Sequence, residues 1–395
     1  MERLTVLGAT GTVGRSTLDV AARHADRYRV HGLSANRDVA GMLELCRQYR
    51  PAVAVMADEA AAAELSGALE AGDATRVLGG AEALCALGAD PDADVVMTAI
   101  VGAAGLMPTL AAVEAGHRVL VANKEPLVMA GELMMRAAQA SGAVLLPIDS
   151  EHNGVFQCLS PDYRCGQRPA SVRRVVLTAS GGPFRGWSAD QLEHATPEQA
   201  LKHPNWEMGP KITIDSATMM NKALELIEAS WLFALRSDEL DVVVHPQSLV
   251  HALVEFDDGS TLAHLGRPDM RVPIAHGLAW PQRHASGVSG LSLIEAGRLD
   301  FEAPDDAAFP AIGLARRAMR LGGLAAAVMN AANEVAVQAF LDGRIGFRRI
   351  VDLAAEELDA LRDEHGAAAE SIEQVLSADA WARERSGASL EAAHA

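Results

Sequence analysis

Two carboxylates, a hydroxyl and an imidazole stand together at Asp149-Ser150-Glu151-His152, directly after the apolar run Ala143-Val144-Leu145-Leu146. An apolar run ending in Asp-x-Glu reads as a buried strand that carries acidic side chains to its carboxyl end, where ligand sites of open α/β sheets collect. Strand alternation would turn Asp149 and Glu151 to one side. Neighbouring carboxylates repel unless a cation or a shared proton lies between them, so the pair is either a metal site or an acid/base dyad. The alternative is an acidic helix N-terminus capped by Asp149 or Ser150.

Lysine usage is the second chemical signal. The only lysines are Lys124, Lys202, Lys211 and Lys222, in a chain with 34 Lys and Arg. Where Arg serves for solvated cations, retained Lys marks places that want a compact ammonium. Asn123-Lys124-Glu125 follows the apolar strand Val119-Leu120-Val121-Ala122, either as a helix-start ion pair or as part of the ligand edge. The stretch from Asp215 reads as a capped helix continuing toward Leu235, on which Asn221 and Lys222 stand four and three residues before Glu225 and can share its pocket. Lys202 and Lys211 bound a segment with Pro204, Trp206, Gly209 and Pro210 and no periodicity. It reads as a loop whose Trp206 either closes over a ligand or anchors the loop to the core.

These residues need a scaffold. At the N-terminus, Leu4-Thr5-Val6-Leu7 leads into Gly8-Ala9-Thr10-Gly11-Thr12-Val13-Gly14 and a helical pattern. A strand, a glycine turn and a helix let backbone N–H groups meet a pyrophosphate, although the spacing is GxxGxxG and a tight turn could need the same glycines. The second strand ends at Ser34-Ala35-Asn36-Arg37 without an acid, so Arg37 suits the 2'-phosphate of NADP, with Asp38 placed to cap the next helix. Further βα units at 52–56, 94–101 and 118–122 argue a doubly wound parallel sheet. From Ser171 the pattern changes to a strand opening into Ala179-Ser180-Gly181-Gly182, strands at 241–245 and 251–256, and a hairpin through Asp257-Asp258-Gly259-Ser260 to 261–265. A partly antiparallel sheet of this kind makes the middle region α+β and offers a surface for self-association. Residues 281–306 look irregular, and helical patterns follow at 311–321, 325–341, 347–362 and 368–385, with fraying at the end. The expected fold is α/β: a Rossmann-like domain at 1–148, a central α+β catalytic domain at 149–285, a connecting segment at 286–308 and a helical bundle at 309–395.

With 395 residues, 49% of them hydrophobic, the chain is globular with more than one core. A net charge of -18 argues against nucleic acid and anionic membrane as partners, and requires any bound phosphate to meet a local cationic cluster. Cys46, Cys85, Cys158 and Cys165 show neither metal spacing nor a disulfide framework, and no signal peptide precedes the first strand, which together suit the cytoplasm. The uncharged stretch 95–113 contains Gly102, Gly105 and Pro108 and reads as strand, turn and packed helix, not a membrane span.

Taken in order, Gly-Ala-Thr-Gly-Thr-Val-Gly at Gly8, Ala-Asn-Lys-Glu at Ala122, Asp-Ser-Glu-His-Asn at Asp149, Ser-Gly-Gly-Pro-Phe at Ser180, His-Pro-Asn-Trp at His203, Asp-Ser-Ala-Thr-Met-Met-Asn-Lys at Asp215 and His-Pro-Gln-Ser at His245 resemble the 1-deoxy-D-xylulose 5-phosphate reductoisomerases over essentially the whole chain. The resemblance implies rearrangement of a ketose phosphate and reduction of the resulting aldehyde by NADPH, giving 2-C-methyl-D-erythritol 4-phosphate in non-mevalonate isoprenoid biosynthesis. It implies Asp149, Glu151 and Glu225 as ligands of Mg or Mn, with Lys124 and Glu151 catalytic and Lys124, Ser150, Glu151 and Glu225 facing substrate. Ser180, His203, Ser216, Asn221 and Lys222 would hold the sugar phosphate. Thr10, Gly11, Thr12, Val13, Asn36, Arg37, Asn123, Glu125 and Gly209 would contact the cofactor, and a homodimer is expected. The chain departs at Asn36 and Asp38, where the family more often has Gly and Asn, and at Pro126, usually Ser. Two other classes share parts of this pattern. A semialdehyde-type dehydrogenase would need an activated cysteine. A non-catalytic NADP sensor would have no use for the three carboxylates.

Overall fold

Short runs such as Val53–Met56 and Val95–Met97 are apolar at every position, the pattern of strands covered on both faces. A computed structural model, describing residues 1–70, 73–206, 208–364 and 369–392, places them in one parallel sheet. The strands are β1 (Glu2–Leu7), β2 (Tyr28–Ala35), β3 (Val53–Met56), β4 (Arg76–Gly79), β5 (Val95–Thr98), β6 (Arg118–Val121) and β7 (Val144–Pro147). Their order is β4-β3-β2-β1-β5-β6-β7, so the winding reverses between β1 and β5. The helices between them are α1 (Thr12–Arg23), α2 (Val39–Tyr49), α3 (Glu59–Ala68), α4 (Ala81–Gly88), α5 (Leu106–Glu114) and α6 (Glu125–Ser141), followed by α7 (Ser150–Cys158). The edge strand β4 escapes sequence reading because it is four residues long and starts on an exposed Arg76. The uncharged stretch 95–113 forms β5, a 3-10 turn and α5 with Pro108 in its first turn. Among the described residues no helix is long and apolar enough to cross a membrane.

The chain divides into two compact units. The first comprises Met1–Pro126, Met134–Asn153 and Asp269–Ser289; the second comprises Leu127–Leu133, Gly154–Pro268 and Gly290–Ala395. The first holds the parallel sheet together with helix α12 (Arg271–Ala279), which packs on β6 and β7 although it is remote in sequence. Gly277 of α12 lets the helix approach closely: a Cβ there would lie 2.6 Å from Ile148 Cδ1.

The second unit contains a four-stranded sheet ordered β11-β10-β8-β9, from β8 (Val172–Ala179), β9 (Leu240–Val244), β10 (Val250–Phe256) and β11 (Thr261–Leu265). β8 runs parallel to β9 and antiparallel to β10, with Leu177 opposite Ala252, and β10 forms the expected hairpin with β11. Arg174 ties three strands, donating to Glu255 on β10 and to Asp241 on β9. Two short capped helices, α8 (Ala189–Glu193) and α9 (Pro197–Ala200), precede α10 (Pro210–Ala217) and α11 (Met220–Leu232). The single capped helix expected from Asp215 to Leu235 is corrected here. Asp215 lies inside α10, and the chain turns through Met219 at φ +63° before α11 ends at Leu232. The segment 281–306 is irregular apart from α13 (Leu293–Ala296). α14 (Ala311–Leu321) and α15 (Ala325–Leu341) match their predicted bounds, while α16 (Arg349–Glu364) and α17 (Ile372–Ala392) start later than their patterns suggested. α17 also runs past the expected end at residue 385, and residues 393–395, where fraying was expected, lie outside the described residues. α15 packs against both α16 and α17.

The glycine turn after β1 is sterically fixed. Gly8 has φ +87°, and a Cβ on it would lie 2.5 Å from the Ala99 carbonyl oxygen beyond β5; a Cβ on Gly14 would lie 2.3 Å from Gly8 O. Gly14→Ala should therefore cost about 1–3 kcal/mol, the scale of forcing a methyl into a filled space, and lower the melting temperature. An unchanged thermal transition would show that α1 can move off β1 freely.

Candidate active site

The Asp149 stretch is built differently from the strand reading. β7 ends at Pro147, and Ser150 begins α7, with Glu151 in its first turn. Asp149 and Glu151 thus lie at a strand-to-helix junction, not on one alternating face, and Ile148 between strand and helix is buried against Gly277 of α12. Lys124, at the start of α6 just past the end of β6, reaches this junction, its Nζ 2.5 Å from Asp149 Oδ2. Asp149 Oδ1 accepts from the Ser150 N–H at 3.0 Å, and Ser150 Oγ donates to Glu151 Oε2 at 2.5 Å. Asn153, one helical turn on, donates to Pro147 O and to the His276 imidazole on α12 at 3.2 Å. Burial pushes His276 down to about 4, so the ring is neutral and can accept that bond. His276 was not anticipated, since a lone His in an apolar segment carries no spacing signal.

The rest of the first unit presents a nucleotide edge. Thr10, Gly11, Thr12 and Val13 form the turn and first residues of α1, whose cap Gly11 offers no side-chain acceptor and whose first turn has no acid, leaving the helix N-terminus suited to an anion. This turn lies where the strand order reverses, the position at which doubly wound sheets take ligands. Asn36 and Arg37 follow β2 and are exposed; Asp38 is occupied as the cap of α2, accepting from the Gly41 N–H. Arg37 Nε lies 2.9 Å from Asp58 Oδ2, and the Ala61 N–H together with Arg37 holds the Asp58 carboxyl below its ordinary range. Asp58, the cap of α3, was not read as a partner because capping accounts for it locally. Asn123 is buried, its amide donating to Ile100 O and Gly102 O while its oxygen accepts from the Glu125 N–H, which clamps the turn after β5. Glu125 is buried beside it, and Pro126 sits harmlessly in the first turn of α6.

In the second unit, the predicted phosphate residues gather around α10 and α11. Gly182, at φ +67°, lies so close that a Cβ would come 2.7 Å from the Ser216 carbonyl oxygen, which seats the Ser180 turn against the end of α10. Ser180 Oγ is 3.0 Å from His203 Nε2. His203 Nδ1 accepts the N–H groups of Asn205 and Trp206, which places the ring proton on Nε2, and burial lowers its affinity for a second proton. Trp206 is half-buried and edge-on to His251, while Asn205 donates to Pro246 O and Ser248 Oγ, so the loop is anchored in this structure. The loop ends earlier than expected: Gly209 caps α10, and Lys211 is a helical residue paired with Asp215 at 2.8 Å. On α11, Asn221 and Lys222 both donate to the Glu225 carboxylate, as their spacing predicted. Glu225 is fully buried.

All four thiols are raised above their ordinary value by burial, Cys46 and Cys158 to about 11, so none is an activated nucleophile. This removes the semialdehyde-dehydrogenase alternative.

A parallel sheet with a glycine turn at its switch point, accompanied by buried lysine–carboxylate pairs, defines a nucleotide-binding α/β enzyme of the Rossmann-like class. Comparison with known proteins narrows this. The family model of 1-deoxy-D-xylulose 5-phosphate reductoisomerase matches residues 4–131, and the models of its C-terminal domains match 145–233 and 265–385. The 1-deoxy-D-xylulose 5-phosphate reductoisomerase of Stutzerimonas stutzeri is 56% identical over 98% of this chain and 97% of its own, and that of Aromatoleum aromaticum 57% identical over 97% and 95%. A crystal structure of DOX-P reductoisomerase with NADPH, fosmidomycin and magnesium superposes with a TM-score of 0.93 at 43% identity, covering 99% of this chain and 98% of that one. The Zymomonas mobilis enzyme in complex with NADPH gives 0.89 at 46%, covering 99% of both. The chain belongs to the 1-deoxy-D-xylulose 5-phosphate reductoisomerase family.

The Lys222–Glu225 pair has side chains 4% and 1% exposed. Lys222→Met should destabilise the protein by about 3–5 kcal/mol in chelated buffer, because it strands a buried carboxylate. A denaturation midpoint within error of the parent would show that Glu225 is hydrated or protonated instead.

Proposed function

We infer that this chain is a metal-dependent reductoisomerase that converts 1-deoxy-D-xylulose 5-phosphate to 2-C-methyl-D-erythritol 4-phosphate by skeletal rearrangement followed by NADPH reduction. The observation that carries this reading is the pairing of a buried lysine with a carboxylate of the predicted ligand set in each unit, Lys124 with Asp149 and Lys222 with Glu225. Asp149, Glu151 and Glu225 offer only carboxylate oxygens, the donor set suited to Mg or Mn, so the residues fit the ion. When bound, NADPH supplies the hydride and the divalent ion supplies Lewis acidity to the substrate's carbonyl and hydroxyl oxygens.

The remaining work falls to side chains. Lys124, already held at Asp149, donates to the substrate oxygens on which negative charge develops, and Ser150 orients them. Glu151 combines its ligand role with acid/base work beside them. Ser180, His203 through its Nε2 proton, Ser216, Asn221 and Lys222 hold the phosphate, supplying the cationic cluster that a chain of net charge -18 needs. Thr10 to Val13, Asn36, Arg37, Asn123, Glu125 and Gly209 form the cofactor side, Asn123 by fixing the turn after β5. Trp206 shields the reacting centre from water when its loop closes. On this reading residues 1–148 serve the cofactor, 149–285 the chemistry, 286–308 the connection and 309–395 support, in a cytoplasmic homodimer. Support for the dimer comes from β11, an edge strand with exposed Leu262 and Leu265, suited to pairing with a second copy.

NADPH oxidation should require both the sugar phosphate and a divalent ion, and stop on chelation. Glu225→Gln should leave the chain folded with most activity lost, since a neutral amide replaces an anionic ligand. Near-normal turnover of that variant, or oxidation in chelated buffer, would contradict the metal assignment.

Arg37→Ala should weaken NADPH binding by about 1.5–3 kcal/mol, the scale of a hydrogen bond to a charged group, and leave NADH nearly unchanged. Equal losses for the two cofactors would assign Arg37 to the Asp58 pair and the fold alone.

A further inference from the structure

We propose that Asn333, on the C-terminal helix α15, is a positioning residue for the sugar-phosphate site, acting through Asp215 on α10. The inference rests on the reading that Ser216 binds the phosphate. Asp215 is buried, with its two oxygens gripped from different elements: Asn333 Nδ2 donates to Oδ1 at 2.8 Å, and Lys211 Nζ lies 2.8 Å from Oδ2. Lys211 is on the same helix one turn earlier, whereas Asn333 ties this carboxylate to α15, a separate element of the fold. Ser216 is the next residue. Its place is therefore set by how firmly Asp215 is held.

Asn333 itself is an odd choice for packing. α15 is an alanine-rich helix, buried along most of its length, and the Asn333 side chain is fully buried with no hydrogen-bond partner for its Oδ1. An apolar residue would avoid that desolvation cost, so the amide's value lies in the one bond it donates. α15 is in turn fixed from behind. Glu334, the next residue, takes 2.7 Å contact from Arg383 of α17, which also pairs with Asp379. The C-terminal helices thus form a backing that holds α10, and with it the phosphate residues, at a set position. The polar Asn-Glu pair inside the alanine run is the sequence signal that points to this role.

The test uses the full chain with metal and NADPH. Asn333→Leu should raise the KM for the sugar phosphate about tenfold, the equivalent of losing one hydrogen bond to a charged group, with the KM for NADPH nearly unchanged and kcat reduced far less. Exchanging the partners, Asp215→Asn with Asn333→Asp, rebuilds a donor–acceptor pair and should recover much of that KM relative to Asn333→Asp alone. If the parent enzyme turns over but Asn333→Leu keeps its sugar-phosphate KM, or if both KM values rise while kcat and the melting temperature fall together and the exchange recovers none of it, Asn333 is structural only and the inference fails. If the parent enzyme itself does not oxidise NADPH with the sugar phosphate, the reading of the site fails first.

Discussion

The arrangement depends on one constraint: carboxylates buried in an already acidic chain must be compensated. Three of the four lysines meet that need, Lys124 at Asp149, Lys211 at Asp215 and Lys222 at Glu225. A lone buried carboxylate is costly, and a pair is maintained only if its geometry is held by the surroundings. Each pair sits where elements are already fixed: at the β7–α7 junction beneath α12, between α10 and α15, and on the first turns of α11. An ammonium has a further property that suits a ligand site. It is a compact point donor that can turn from its carboxylate to an incoming oxygen anion without rebuilding a forked contact, as a guanidinium would have to.

The second requirement is an approach for a dinucleotide. The reversal of strand order between β1 and β5 opens a crevice at the carboxyl ends of the strands, and Gly8 and Gly14 let β1, α1 and the turn after β5 close up around it. Of the two readings that the glycine spacing allowed, the packing one holds at two positions. Gly8 and Gly14 are demanded by packing, whereas Gly11, exposed at the cap of α1, leaves the helix N-terminus open.

Much of this was legible in the residues. The parallel sheet followed from apolar runs alternating with helical patterns, and the Asn221, Lys222 and Glu225 cluster from helical spacing alone. What was not legible depended on distance in the chain. α12 packs under β6 and β7 from more than a hundred residues away, so neither its place nor the His276 bond to Asn153 has a local signature. Asp215 looked like a helix cap because Asp-Ser before an apolar pattern normally is one; it lies instead inside α10, which already starts at Pro210 after its cap Gly209. Asp149 and Glu151 were read on one strand face because the apolar run sets a period of two, but the chain changes to helical geometry at Ser150.

The central claim is that the carboxylates proposed as ligands bind a divalent cation. Titrating the ligand-free enzyme with Mn2+ and counting free ion by electron paramagnetic resonance tests it most directly. The account predicts one tight Mn2+ per chain, displaced by excess Mg2+ and lost in Asp149→Asn. Retention of that bound Mn2+ in Asp149→Asn would contradict it.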